Sequence, residues 1–505
     1  MTRLGFLLDS ESCIGCHACT VACKSEHDVP LGVNRTWVKY IETGTFPNVS
    51  RHFSVMRCNH CDDAPCMAIC PTSALFRAAN GVVDFDDGNC IGCKACMNAC
   101  PYDAIYLNPE THTAHKCNFC NHRLEVGLEP SCVIVCPTEA IKVADLDDPL
   151  DEVTGIIARQ DVAVRSPEQN TKPKVYYRGA DQASLDPTRS AIPGDGLIWA
   201  DTTTDHRTVP EADLGVVART TYTTAHAMTW KAMVSGYLVT KALAAGTMLV
   251  AALLVLLGHS HRQAAVGVVP PMVAGVFLAA TGALLVADLR QPRRFHYLLT
   301  RANRSSWLVK GAYVLMAFAA VCALWWLAGL AGAAGVLEVL AIPATVGAAG
   351  AAGYTAFLFG QCEGRDLWQT PLLLPTLLAQ AVTAGGATFA VADLFMDVPE
   401  PTAVRWVLLA GVLAVAGLVA VELTSAGSRH VELAVGAMVR GPYARKFWWG
   451  GVLVGLVVPA GLVIVSLASG LDSSAVPAVA GLAAVAGMFA YEDAFVRAGQ
   501  SVPLS

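Results

Sequence analysis

Charge is scarce in this chain: only 15 % of its 505 residues are Asp, Glu, Lys or Arg, against about a quarter in ordinary soluble domains. With 54 % hydrophobic residues and a mean hydropathy of +0.46, that shortage excludes a wholly soluble protein. Positive charge is short where it would matter for nucleic acid. Residues 1–218 carry 18 Lys and Arg against 29 Asp and Glu, so the front half has no basic excess to displace phosphate counterions, and nucleic acid is excluded as a partner. Histidine is missing from the interior of the long apolar runs. His226, His259, His261, His296 and His430 fall at their ends or in loops, which leaves a b-type haem without axial ligands, and no haem is expected. Met1–Ser12 has neither a basic start leading into an apolar run nor a twin arginine. The expectation is therefore of no export signal, which argues against a secreted disulfide scaffold.

Cysteine is nearly absent beyond residue 136, where only Cys322 and Cys362 remain; the other sixteen form four sets of four. These are Cys13, Cys16, Cys19, Cys23; Cys58, Cys61, Cys66, Cys70; Cys90, Cys93, Cys96, Cys100; and Cys117, Cys120, Cys132, Cys136. The first and third have the spacing C-x2-C-x2-C-x3-C, which wraps three thiolates round one cubane and sends the fourth to a neighbouring cluster. Pro71, Pro101 and Pro137 follow three of the sets and turn the chain away. Zinc knuckles also use CxxC pairs, but a tetrahedral ion has no need of such a run of short gaps. Cys13-Ile14-Gly15-Cys16-His17 matches the c-type haem attachment motif in form, yet Cys19 and Cys23 complete a ferredoxin set with the same cysteines.

The segments CIGCHACTVACK, RCNHCDDAPCMAICPTSAL, CIGCKACMNACPYDAI and KCNFCNHRLEVGLEPSCVIVCPTEAI resemble the four-cluster ferredoxin-type electron-transfer subunits of molybdopterin oxidoreductases. The resemblance covers residues 5 to about 145 and implies an α+β tandem ferredoxin-like domain holding four [4Fe-4S] clusters in nested pairing. Carried onto this chain, it implies Cys13, Cys16, Cys19 with Cys136; Cys117, Cys120, Cys132 with Cys23; Cys58, Cys61, Cys66 with Cys100; and Cys90, Cys93, Cys96 with Cys70. It also implies that the third-set cluster lies nearest the membrane and the first-set cluster nearest a separate molybdopterin catalytic subunit.

Residues 146–225, rich in Asp, Pro, Thr and Gly, read as a linker or tether with one strand-like piece at Lys174–Tyr177. Eight apolar runs follow, near 232–257, 266–287, 309–330, 337–359, 371–392, 404–424, 449–469 and 475–496. Each is long enough to cross a hydrocarbon core of about 30 Å. An all-α polytopic bundle over 226–505 is predicted, with Gly and Ala letting its helices pack closely in lipid.

The loops Asp288–Phe295, Thr300–Gly311 and Gly353–Trp368 and the segment Val496–Ser505 resemble the polysulfide reductase (NrfD-like) family of eight-helix quinone-reactive anchors. The chain thus looks like a fusion of cluster subunit and anchor, passing electrons between a catalytic partner and menaquinone or ubiquinone. Odd spans begin and even spans end on the face that meets the clusters, which gathers His226, Trp230, Asp288, Arg290, Arg293, Glu363, Arg365, Glu422 and Glu492. Quinone chemistry needs hydrogen-bond donors and acids with a path to water, and Asp288 is the foremost candidate because motif and position agree. Lys241 stands too deep for an ordinary headgroup anchor; it either snorkels or belongs to a proton path. The rival expectation is a redox-driven proton translocator within a quinol-oxidising complex, with Lys241, Asp393 and Glu338 as the path.

Fourteen Lys and Arg lie on the cluster side of the spans, from Arg219 to Arg497, against Arg262 and Arg405 on the other. Positive residues in short loops are retained in the cytoplasm, so the cluster domain is expected on the cytoplasmic side of the inner membrane.

Overall fold

The computed structural model describes residues 2–191, the backbone of 198–199, and residues 218–224, 227–425, 427–469 and 473–505. The front domain is built on two four-stranded sheets. In the first, Leu4–Asp9 runs antiparallel to Ile141–Asp145 and parallel to Val175–Arg178, with Val162–Ala163 at the edge. In the second, the hairpin Thr36–Thr45/Asn48–Arg57 pairs with Arg219–Thr223, which pairs in turn with Ile198–Trp199. The segment expected as a tether is thus tied in over its described part, contributing strands to both sheets. Alternation explains one of them: Val175 and Tyr177 are buried while Tyr176 and Arg178 lie nearer the surface.

Between the sheets the chain makes short elements around the thiols. Small hairpins, Leu75–Arg77/Val83–Phe85 and Ile105–Leu107/Ala114–Lys116, follow the second and third sets. The helices Ala18–Glu26 and Ala95–Ala99 each begin after a left-handed residue, His17 or Lys94, inside the cysteine loop. Such residues bend the loop tightly enough for successive cysteines to face inward.

Among the described residues, eight helices are long and apolar enough to cross a membrane: Ala232–His259, Gln263–Ala287, Trp307–Leu330, Ala334–Gly360, Leu373–Ala392, Pro401–Thr424, Lys446–Ala468 and Ala475–Ser501. They agree in number and approximate place with the sequence reading. The first and fifth spans touch through glycine. A Cβ at Gly246 would stand 1.9 Å from the Ala381 carbonyl oxygen, and one at Gly385 2.2 Å from that of Gly246, so both positions exclude any side chain.

The cluster domain stands on the face formed by the starts of odd spans and the ends of even ones. Asn303, between the second and third spans, donates to the carbonyls of Pro71 and Cys70. Arg365, between the fourth and fifth, is 2 % exposed and pairs with the equally buried Asp103 at 3.4 Å. After the eighth span, the Leu504 N–H donates to Asp103 and its carbonyl accepts from Arg165.

Candidate functional site

Cysteines from different sets lie close enough to act on one another. The thiols weighing most on Cys23 are Cys117, Cys132 and Cys120, and on Cys13 the nearest in effect is Cys136. Cys66 is set against Cys100, Cys58 and Cys61, and Cys93 against Cys70 and Cys90. Cys70, Cys90, Cys93 and Cys96 line one cavity, closed by Leu75, Phe85, Ile91 and Ala114. Burial pushes the thiols of Cys61, Cys93, Cys100 and Cys117 up to about 12. Converging thiols in so apolar a setting ionise together only around a strongly positive group, which iron in a [4Fe-4S] cluster supplies. Unpartnered polar atoms fit the same group: both ring nitrogens of His60, within the Cys58–Cys61 loop, are buried without a hydrogen-bond partner, and one of them carries an N–H donor.

The loop holding Cys90, Cys93 and Cys96 presses on the membrane domain. The Trp230 indole N–H donates to the Cys93 carbonyl at 3.1 Å, and its ring stacks on Trp368 and Phe359 at 5.5 and 5.7 Å. Arg294 donates to the carbonyls of Asp87 and Cys90, and the Arg290 N–H to that of Gly92. Gly92 has φ +65°, and a Cβ there would lie 2.7 Å from Cβ of Arg290; only glycine admits both the turn and the approach. Lys94 pairs with Asp288 at 2.8 Å. Burial raises the Asp288 carboxyl above the usual range, with Lys94 drawing it back.

The residues singled out from the sequence therefore separate into two groups. Trp230, Asp288, Arg290, Arg293 and Glu363 lie at the docking face. Arg290 and Arg293 are exposed there, while Glu363 lines a cleft with Asp62, Asp63 and Asn303, its carboxyl raised by burial and by Asp63. His226 lies outside the described residues. Lys241, Glu422 and Glu492 belong to a second group within the spans. Lys241 is 1 % exposed and donates to Thr355, its ammonium 4.6 Å from the Tyr354 ring centroid; the snorkelling alternative is thereby removed. Gln380 donates to Glu492 at 2.6 Å, and the Tyr491 hydroxyl lies 3.3 Å from Glu422.

Sequence reasoning misses Lys94, Thr355, Gln380 and Tyr491. Gln380 carries a signal, a lone amide within an apolar run. Lys94 carries none, because it fills in the third set the position His17 fills in the first.

Thiol groups stacked on an eight-helix anchor define a membrane-bound iron–sulfur electron-transfer protein. The chain matches the 4Fe-4S dicluster domain family over residues 49–146, and again in a second form over 12–75. Over residues 221–503 it matches the family described as "Polysulphide reductase, NrfD", and it belongs to that family. The thiosulfate reductase electron transfer subunit PhsB of Salmonella typhi is 43 % identical over 175 residues, 34 % of this chain and 90 % of that protein. The arsenate respiratory reductase iron-sulfur subunit ArrB of a Shewanella strain is 36 % identical over 225 residues, 35 % of this chain and 95 % of its own. Protein NrfC of Escherichia coli K12 is 42 % identical over 177 residues, 34 % and 79 % respectively. The protein is thus an iron–sulfur electron-transfer unit fused to its own membrane anchor.

Proposed function

We propose that this chain carries electrons between a separate molybdopterin catalytic subunit and membrane quinone, menaquinone or ubiquinone. When bound, four [4Fe-4S] clusters held by the sixteen cysteines supply the one-electron steps. The observation that carries this reading is the contact of the Cys90–Cys96 loop with Trp230 and Asp288. It sets a thiol group against the membrane face where a quinone head group can reach from lipid. There Trp230 and its aromatic neighbours exclude water, Lys94 orients the Asp288 carboxylate, and Asp288 accepts or supplies a proton at the head-group oxygen. The substrate belongs to the partner, and the likeness to the arsenate and thiosulfate reductase subunits supports a reductase complex. The cluster domain faces the cytoplasm.

The test is to purify the complex from its native membrane, identify its largest subunit by mass spectrometry, and add a short-chain quinol. A molybdopterin protein, with cluster EPR signals appearing on quinol addition, supports the reading; a multihaem cytochrome in its place would favour a redox-driven proton translocator. That second reading draws on the buried pairs Lys241–Thr355 and Gln380–Glu492, polar groups inside spans being functional by default. Glu338 stands apart, bonded to Ser260.

A further inference from the structure

Arg57 ends the strand Asn48–Arg57 and is wholly buried, at 0 % exposure. Its Nη1 donates to Sγ of Cys132 at 3.3 Å. The guanidinium carbon lies 4.3 Å from the centroid of the Phe6 ring, which stacks on Phe119 at 3.9 Å. Nε and Nη2 are buried with no hydrogen-bond partner, although a guanidinium offers five donors. Among the described residues no carboxylate forms an ion pair with it. Arginine stays protonated in proteins, and Cys19 and Cys132 lie with Phe6 and Phe119 in one buried cluster beside it. A buried cation with idle donors is costly unless anions surround it, and here the anions at hand are cysteine sulfurs from two of the four sets.

We propose that Arg57 is a positioning residue that sets the reduction potential of the cluster held by Cys23, Cys117, Cys120 and Cys132, making it easier to reduce, with a weaker effect through Cys19 on the neighbouring cluster. Accepting an electron makes a cluster more negative, and a fixed cation in a low-dielectric surrounding favours that form. Nη1 directs this effect to one sulfur, while Nε and Nη2 remain free to donate to cluster sulfides. The inference rests on the four-cluster reading above.

The test is an EPR-monitored redox titration of the detergent-purified full chain as wild type, Arg57→Gln and Arg57→Lys, with iron counted in each. With iron equal in all three, Arg57→Gln should lower one midpoint so that the reduced-to-oxidised ratio at a given potential falls at least tenfold, equivalent to about 59 mV for one electron. Arg57→Lys should recover most of it. Reduced-to-oxidised ratios within twofold of wild type at every cluster in Arg57→Gln overturn the proposal. Failure of the wild type itself to hold four clusters overturns the ligation reading instead. Should Arg57→Gln lose iron, the wild type labelled with nitrogen-15 in its arginine guanidinium groups decides. A nitrogen-15 coupling at one reduced cluster that vanishes in Arg57→Lys supports the proposal, and no such coupling overturns it.

Discussion

Nζ of Lys94 stands 2.8 Å from Oδ1 of Asp288, joining a cysteine loop to the end of the second membrane span across 194 residues of sequence. The two side chains are 7 % and 18 % exposed, so the pair is largely shielded from water. Asp288 is therefore fixed beside the innermost thiol group and cannot act as a freely mobile headgroup carboxylate.

Replacing Asp288 by Asn should lower quinone turnover at least tenfold while dithionite still reduces every cluster. Steady-state quinol oxidation and cluster spectra on the same preparation decide it, and normal quinone kinetics would remove Asp288 from the site.

Iron analysis should give about sixteen atoms per chain, four for each of four clusters, with no pyridine haemochrome signal. Cys100→Ser should damage the cluster of Cys58, Cys61 and Cys66; loss of the cluster of Cys90, Cys93 and Cys96 instead would refute the nested pairing.

Arg365 and Asp103 are the buried clamp between the domains. Arg365→Met takes the guanidinium from Asp103 and leaves the Leu504 N–H among its remaining partners; breaking a buried pair costs about 3–5 kcal/mol. The cluster domain should then loosen at a lower temperature in thermal scans of detergent-solubilised protein. An unchanged transition would mean that Asn303 and the 502–505 segment suffice.

Glu26 links the helix Ala18–Glu26 to the Ser131–Ile134 helix through Ser131 and to the Asn121–Leu124 helix through His122 and Arg123. These partners, the Ser131 hydroxyl foremost, hold its carboxyl down at about 2. The folded state thus favours the ionised form. The contribution is fully present above the ordinary glutamate value of about 4.3 and is lost as pH falls toward 2. Iron release should be faster in Glu26→Gln than in wild type at neutral pH, and the two rates should converge across that acid window. Parallel rates throughout would show that the link contributes nothing.

Asp397, in the loop between the fifth and sixth spans, has a side chain 79 % exposed on the side away from the clusters. Asp397→Cys should react with a membrane-impermeant thiol reagent from outside intact cells if the cluster domain is cytoplasmic. Labelling only after permeabilisation would reverse the orientation.

Local spacing determined a great deal. A cysteine run of C-x2-C-x2-C-x3-C turns three thiols inward within seven residues, and a twenty-residue apolar run is long enough to cross a bilayer, so thiol sets and spans are legible without any distant contact. Tertiary structure decided what depends on meetings across the chain. Arg219–Thr223 is a strand because Thr36–Thr45 offers an open edge; Lys94 matters because Asp288 arrives from 194 residues away; Arg57 is buried because Phe6 and Cys132 close over it. Trp230 and Lys241, neighbours in sequence, serve different layers because a helix rising 1.5 Å per residue carries one to the Cys93 carbonyl and the other about 16 Å further toward Thr355. Periodicity and spacing record only what a residue does with its near neighbours, whereas burial and charge pairing are properties of the whole packed chain.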